Sequence, residues 1–364
     1  MNNNTNKIII YWLFTGCILI FLMVIIGGIT RLTGSGLSIT EWKVVTGMFP
    51  PMNENQWQQE FYKYQQSPQF KIINSNFGVA DFKGIYWWEY LHRLFGRMIG
   101  MVFLIPFIYF LLKKWIDKKL MPKLIIIFCL GGLQGTVGWL MVATGLQNAP
   151  HVSHFALAAH LTVAFTTFFY TFWVALDLIF ENKNHLMSPA DRSSGTQPLN
   201  PGYPERSRSA ISHYALPLVI LLFVQIIYGA FVAGLKAGLV FNTWPKMGDE
   251  WVAQSVSFAF EKEGLSSLVY NLASVQFIHR TVAILLFAFV CFLWMKRKNT
   301  HFNLSINQQN ALNVAMAVIL MQFTLGVFTL LYAVPIWLGV LHQAGAFVLL
   351  GAVVYLLHRL RFAR

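Results

Sequence analysis

The segment 87–97, WWEYLHRLFGR, brings Glu89, His92, Arg93 and Arg97 to the edge of a long apolar run. Charged groups at the centre of a membrane helix cost about 2.5–3.5 kcal/mol each on insertion scales, so such a cluster calls for a use. An imidazole can ligate a metal, a carboxylate can exchange a proton, and a guanidinium can hold a carboxylate through two parallel hydrogen bonds. Further histidines follow in apolar surroundings: His160 in AAHLTVAF, His279 in QFIHRTVAI and His342 in VLHQAGAF.

These strings are not independent. The stretch 26–42, IGGITRLTGSGLSITEW, aligns with 228–244, YGAFVAGLKAGLVFNTW. EYLHRLFGR aligns with QFIHRTVAI, which sets His92 over His279 and Arg93 over Arg280. QGTVG at 134–138 matches QFTLG at 322–326, and His160 falls over His342. One unit of four helices is therefore written twice in the same order. Each copy has an even number of helices, so both keep the same orientation across the membrane, as parallel repeats do.

Of the ten histidines, the four repeated ones are expected one to two turns from the outer ends of their helices. At 1.5 Å per residue that is roughly 5–12 Å below the outer surface. Paired histidines on facing helices of a four-helix bundle can hold a haem iron from both sides. A zinc or copper site needs further close ligands. His151 and His154 could supply them in the first half, but the second half has no counterpart. Two bis-histidine haems, His92 with His160 and His279 with His342, is the economical reading. Arg93 and Arg280, each following a candidate ligand, suit the haem propionates. Arg97 fits that role or an interfacial side chain reaching for water equally well. The glycines of GRMIG and LGGLQGTVG are expected to allow close helix packing.

One position breaks the repeat. Glu89 stands three residues before His92, and Gln276 stands three before His279. Residues three apart share a helix face, so each accompanies its histidine. Gln keeps the shape but cannot exchange a proton. This assigns chemistry to the first half and a held redox cofactor to the second. An ion pair of Glu89 with Arg93 or Arg97 is the competing use of the carboxylate.

The elements that must place these residues are legible from composition. With 56% hydrophobic and 11% charged residues over 364 positions, the chain cannot coat a soluble globule of this size. Apolar runs near 8–28, 89–112, 122–143, 153–180, 212–234, 276–295, 311–332 and 336–357 are each long enough to span a bilayer. The expected fold is all-α and polytopic: eight transmembrane helices in two tandem, pseudo-symmetric four-helix bundles. Residues 1–180 form the first and 212–364 the second. The Pro- and Ser-rich segment 181–211 reads as a cytoplasmic linker. The first run lacks an A-x-A cleavage pattern and reads as a retained helix.

The net charge of +13 comes largely from short loops, which marks insertion topology and excludes a nucleic-acid face. KKWIDKK, KRK and the tail HRLRFAR define the cytoplasmic side. Both termini are then cytoplasmic, and the long loops 29–88 and 235–275 face outward with the histidine sites near them. Loop 29–88, with its aromatic and acidic ENQWQQEFYKYQQ, suits either a lid or a solvated connection. Cys17, Cys129 and Cys291 all fall inside apolar runs. They read as buried small hydrophobes, which leaves no loop disulfide.

Taken together, GGITRLTGSGLSITEWK, EYLHR, AAHL, QFIHR and VLHQ resemble the haem A synthase family over nearly the whole chain. The resemblance implies oxidation of the C8 methyl of haem O to a formyl group by successive hydroxylations, giving haem A for terminal oxidases. It implies haem b as cofactor with axial ligands His279 and His342. His92 and His160 would face the substrate haem, and Glu89 would be the catalytic carboxylate. Without loop cysteines and with a long first outer loop, the chain resembles the cysteine-free branch. A bacterial inner-membrane location and contacts with a haem O synthase or with oxidase assembly factors are expected on the same ground. Two rivals remain from the residues alone: a di-haem b subunit passing electrons to a quinone, and a haem exporter.

Overall fold

The computed structural model describes residues 3–41, 48–146, 150–186, 206–299 and 304–361. Among these residues the chain is all-helical. Helix α1 (Asn3–Leu32) is followed by two short helices, α2 (Glu54–Gln65) and α3 (Pro68–Ile72). Then come α4 (Val79–Leu112), α5 (Leu120–Gly145), α6 (His154–Leu186) and α7 (Arg206–Gly234). A second pair of short helices, α8 (Gln254–Glu263) and α9 (Ser267–Tyr270), precedes α10 (Leu272–Lys296), α11 (Ile306–Leu331) and α12 (Ile336–Arg361). The eight longest, α1, α4–α7 and α10–α12, are long and apolar enough to cross a membrane. The protein is a multi-pass membrane protein with the helix number read from its apolar runs.

Helix starts follow local chemistry. Asn271 caps α10 by accepting from the N–H groups of Ala273 and Ser274. Ser305 and Gln308 form a reciprocal capping box at the start of α11, which satisfies donors that the first turn leaves open. Helix α4 differs from expectation. It begins at Val79, ten residues before the apolar run, with Asp81 accepting from the Gly78 N–H at 3.0 Å. Its first turns therefore project past the apolar zone. His92 lies about 20 Å along α4 rather than one turn in, whereas His160 and His342 lie about 9 Å from their helix starts.

That projection carries a folded cap. Helices α2 and α3 pack on it through Trp57, Phe61, Tyr64, Phe82 and Tyr86, all buried. The Tyr64 hydroxyl accepts from Asn74 Nδ2 at 2.7 Å and bonds Gln69 Oε1 at 3.2 Å. Gln69 Nε2 in turn donates to the Gly34 carbonyl at 2.9 Å. Residues 54–72 are thus largely helical and share an aromatic core with the start of α4 rather than forming a solvated connection.

In the membrane, α1 packs on α4 and α6, and α5 on α4 and α6; likewise α7 packs on α10 and α12, and α11 on α10 and α12. The two sets meet along α1–α12, α6–α7 and α6–α12. They share one apolar core there, with Phe165 and Phe168 of α6 against Phe347 of α12. At the end of α6 remote from the cap, buried Asp177 accepts from Lys123 Nζ at 2.7 Å and bonds His358 Nε2 at 3.1 Å. This ties α5, α6 and α12 together, and a carboxylate at such depth needs partners of this kind.

Two expectations are corrected. Cys17 is buried, but Cys129 is exposed and Cys291 half-buried; α5 turns one flank out of the bundle, where lipid rather than protein covers a side chain. And α6 runs to Leu186 while α7 begins at Arg206, so helix reaches into the expected linker 181–211 from both ends. The remainder of that linker lies outside the described residues.

Candidate functional site

Each of the four repeated histidines sits in a notch made by a glycine on a neighbouring helix. A Cβ added to Gly138 would lie 2.9 Å from the His160 ring, and one added to Gly326 would lie 2.9 Å from His342. At Gly27 and Gly229 the corresponding distances to His92 and His279 are 3.2 Å. Real Cβ contacts are rarely so short: at Gly138 and Gly326 a side chain would force the ring to shift, and at Gly27 and Gly229 the ring would have to give by a few tenths of an ångström. Gly27 aligns with Gly229 and Gly138 with Gly326, so corresponding residues make corresponding contacts. Sequence reasoning expected Gly138 to serve helix packing; what it makes room for is the ring itself.

His92 and His160 lie close together in the first half, and His279 and His342 in the second. All four rings are half-buried. Glutamines hold three of them. Gln134 Nε2 lies 3.2 Å from His160 Nε2, and Gln322 Nε2 lies 3.1 Å from His342 Nδ1 while also donating to the His342 carbonyl at 2.9 Å. Gln225 Nε2 lies 3.3 Å from His279 Nε2. Gln134 and Gln322 open the repeated Q-x-T-x-G string, the signal that could have found them. Gln225 has no such marker and was missed.

At the mouth of the first pair, Glu89 is 2% exposed and accepts four hydrogen bonds. Arg93 gives two to Oε1, from Nε at 3.0 Å and Nη2 at 2.6 Å. Ser38 Oγ and the Ile39 N–H give two to Oε2, each at 2.8 Å. Arg93 also donates to the carbonyls of Ile39 at 2.8 Å and Glu41 at 3.0 Å. The second pair repeats the pattern. Arg280 donates to the carbonyls of Phe241 at 2.6 Å, Thr243 at 3.0 Å and Lys246 at 3.2 Å. Gln276 Nε2 donates to the Phe241 carbonyl at 3.1 Å. Residues 39 and 41 align with 241 and 243, so each arginine pins the corresponding stretch of interhelical chain. Arg280 Nε remains buried without a partner among the described residues.

His154 and His151 stand apart from these pairs. His154 opens α6 with its backbone against Gly234 and its ring among Phe155, Phe231 and Tyr270. His151 lies outside the spans, its imidazole held below the ordinary value by burial and by Lys236. Among the described residues no three His, Cys, Asp or Glu side chains converge as a metal cage.

An eight-span helical membrane protein with two facing histidine pairs, each seated against glycine and one of them beside a buried carboxylate, is the class this fold and site define. The family model described as cytochrome oxidase assembly protein, COX15-CtaA, matches residues 10–354. A haem A synthase of Flavobacterium psychrophilum is 47% identical over 97% of this chain and 98% of its own length. One from Nitrosospira multiformis is 42% identical over 98% and 94%, and the haem A synthase COX15 of Arabidopsis thaliana 40% identical over 96% and 74%. The chain belongs to the COX15-CtaA family.

Proposed function

We propose that this protein is a haem A synthase, oxidising the C8 methyl of haem O to a formyl group by successive hydroxylations. His92 and His160 would hold haem O, and His279 and His342 would hold haem b, the resident cofactor. Residues 1–180 are then the catalytic half and 212–364 the cofactor half. The observation that carries the reading is two glycine-seated histidine pairs of which only the first has a buried carboxylate beside it, Glu89, where the second has Gln276.

The donor set fits haem. His160 Nδ1 and His279 Nδ1 are buried with no partner among the described residues, as ring nitrogens kept for a ligand are. The Oε1 atoms of Gln134 and Gln225 are likewise buried and unpartnered. A half-turn of each amide offers an acceptor to the second ring N–H, which iron-bound imidazoles require. Bound haem b supplies one-electron chemistry.

The protein side of the mechanism rests on position. His92 and His160 fix the substrate ring between α4 and α6, so that the methyl group to be oxidised meets one fixed wall. Glu89, one turn from His92, receives and returns protons at the mouth of this site, where Arg93, Ser38 and the Ile39 N–H hold its two oxygens in place. Arg280 Nε is the donor left to meet a propionate of the resident haem, and Arg93 keeps the first-half loop closed over the substrate. The cap of α2 and α3 excludes water above α4. The sites face the outer side of a bacterial inner membrane, with both termini cytoplasmic.

Pigment extraction from the purified protein tests the proposal. Haem b together with haem O or haem A is expected. Haem b alone, at two per chain, would overturn it in favour of a di-haem electron-transfer subunit.

A further inference from the structure

The four histidine rings are not held alike. His160, His342 and His279 each meet a glutamine from a neighbouring helix, at 3.2, 3.1 and 3.3 Å. No hydrogen bond among the described residues reaches the His92 ring. In the register that sets Gly27 over Gly229, the position equivalent to Gln225 is Met23. Its Cε packs against Gly96, one turn along α4 from His92. A thioether is a weak acceptor and no donor, and its chain has three rotatable bonds. Met23, at the position that meets the ring in the other half, therefore offers His92 no hydrogen bond that would fix it.

The difference matters once a ring binds iron. The second nitrogen then carries a proton and needs an acceptor, which orients the ring and makes it a stronger ligand. Gln225 has one to give, its buried and unpartnered Oε1. Met23 has none of comparable strength. We propose that this pair sets the different lifetimes of the two haems. Gln225 is a positioning residue that locks His279 as a permanent ligand. Met23 leaves His92 as the exchangeable ligand, through which substrate haem enters and product haem leaves. This inference rests on the haem assignment above.

The test uses purified, haem-loaded protein carrying Met23→Gln, Gln225→Met or the control Met23→Leu. Transfer of haem to excess apomyoglobin is followed, with haem b and the O- or A-type haem told apart by their pigment spectra. Met23→Gln is expected to slow loss of the O- or A-type haem by about two- to tenfold, the effect of one hydrogen bond, and Met23→Leu to leave it unchanged. Gln225→Met is expected to speed loss of haem b by about the same factor. It should also raise the haem b midpoint potential, because His279 loses the acceptor that strengthens it as an electron donor. A purely structural defect would speed loss of both haems together. Wild-type exchange rates for both haems with an unchanged potential would overturn the inference. Each variant reports on its own haem, so either alone decides if the other is not recovered folded. Wild-type protein without any haem would instead overturn the assignment of the sites.

Discussion

Arg93 forks onto a single oxygen of Glu89, with Nε at 3.0 Å and Nη2 at 2.6 Å, and leaves the other oxygen to Ser38 and the Ile39 N–H. In the second half Arg280 makes the same reach to the interhelical chain, but its neighbour is Gln276, which donates to the Phe241 carbonyl instead. A carboxylate that both meets the arginine and pins residues 38–39 is thus found beside the first pair only.

Glu89→Gln copies the second half onto the first. The haem b spectrum of the purified protein should persist, because His279 and His342 are untouched. Formation of haem A should fall by about 10²–10⁴-fold, the usual cost of losing a general acid or base. Haem A made at the native rate by this variant would reduce Glu89 to a pin for residues 38–39.

The glycine notches make a sharper test of the ligand pairs than removal of the ligands. Ala is favoured over Gly in a helix by about 1 kcal/mol, so Gly326→Ala should not weaken α11 as a helix. Its methyl would nevertheless lie 2.9 Å from the His342 ring and push it aside. We expect loss or a marked shift of the low-spin haem b spectrum in Gly326→Ala, as in His279→Ala and His342→Ala. Gly16→Ala, where nothing lies within 4 Å, should leave it intact. An unaltered bis-histidine spectrum in both His279→Ala and His342→Ala would remove the second pair as the haem b site.

What could be read in advance followed from chemistry that is costly in lipid. Apolar length fixed the eight spans, and the repeat of His, Arg and Gln strings marked the four rings and their arginines. Gln225 escaped because its repeat partner is Met23, and a position with no echo gives no signal. The glycine notches escaped for another reason: a glycine that admits a ring and one that admits a backbone look the same in one dimension. The cap was hidden because its stability is non-local. Helix α2 is polar over most of its surface, and what orders it is Trp57, Phe61 and Tyr64 meeting Phe82 and Tyr86 on a different helix. The early start of α4 has the same origin, since residues 79–88 are too mixed in character to read as span.

That cap should matter to substrate more than to cofactor. Trp57→Ala removes a buried ring that meets Tyr86 at 5.0 Å and Phe82 at 6.4 Å, a truncation that typically costs about 3–5 kcal/mol locally. Limited proteolysis should then cut within residues 49–75 much faster than in the wild type. Haem b content should be unchanged while the O- or A-type haem is lost. Equal loss of both pigments would show that the cap supports the whole bundle rather than the first site.

The side of the membrane that holds these sites decides which compartment the chemistry faces, and charge gives the expectation. KKWIDKKLMPK places four Lys between α4 and α5 and a fifth, Lys123, at the start of α5, a strong cytoplasmic signal, so the cap at the opposite end of α4 should lie outside. Reporter positions must be exposed; Ser67, buried and capping α3, is unsuitable. Asn55 on α2 and Lys118 between α4 and α5 are both exposed. A Cys at Asn55 should react with a charged, membrane-impermeant thiol reagent in intact cells whose outer membrane, if present, has been permeabilised. A Cys at Lys118 should react only after lysis. Cys17, Cys129 and Cys291 all lie within spans, where a charged reagent does not partition, so background should be low even though Cys129 is uncovered by protein. Labelling at 118 but not at 55 would invert the molecule, carrying Glu89 and both histidine pairs to the cytoplasmic side.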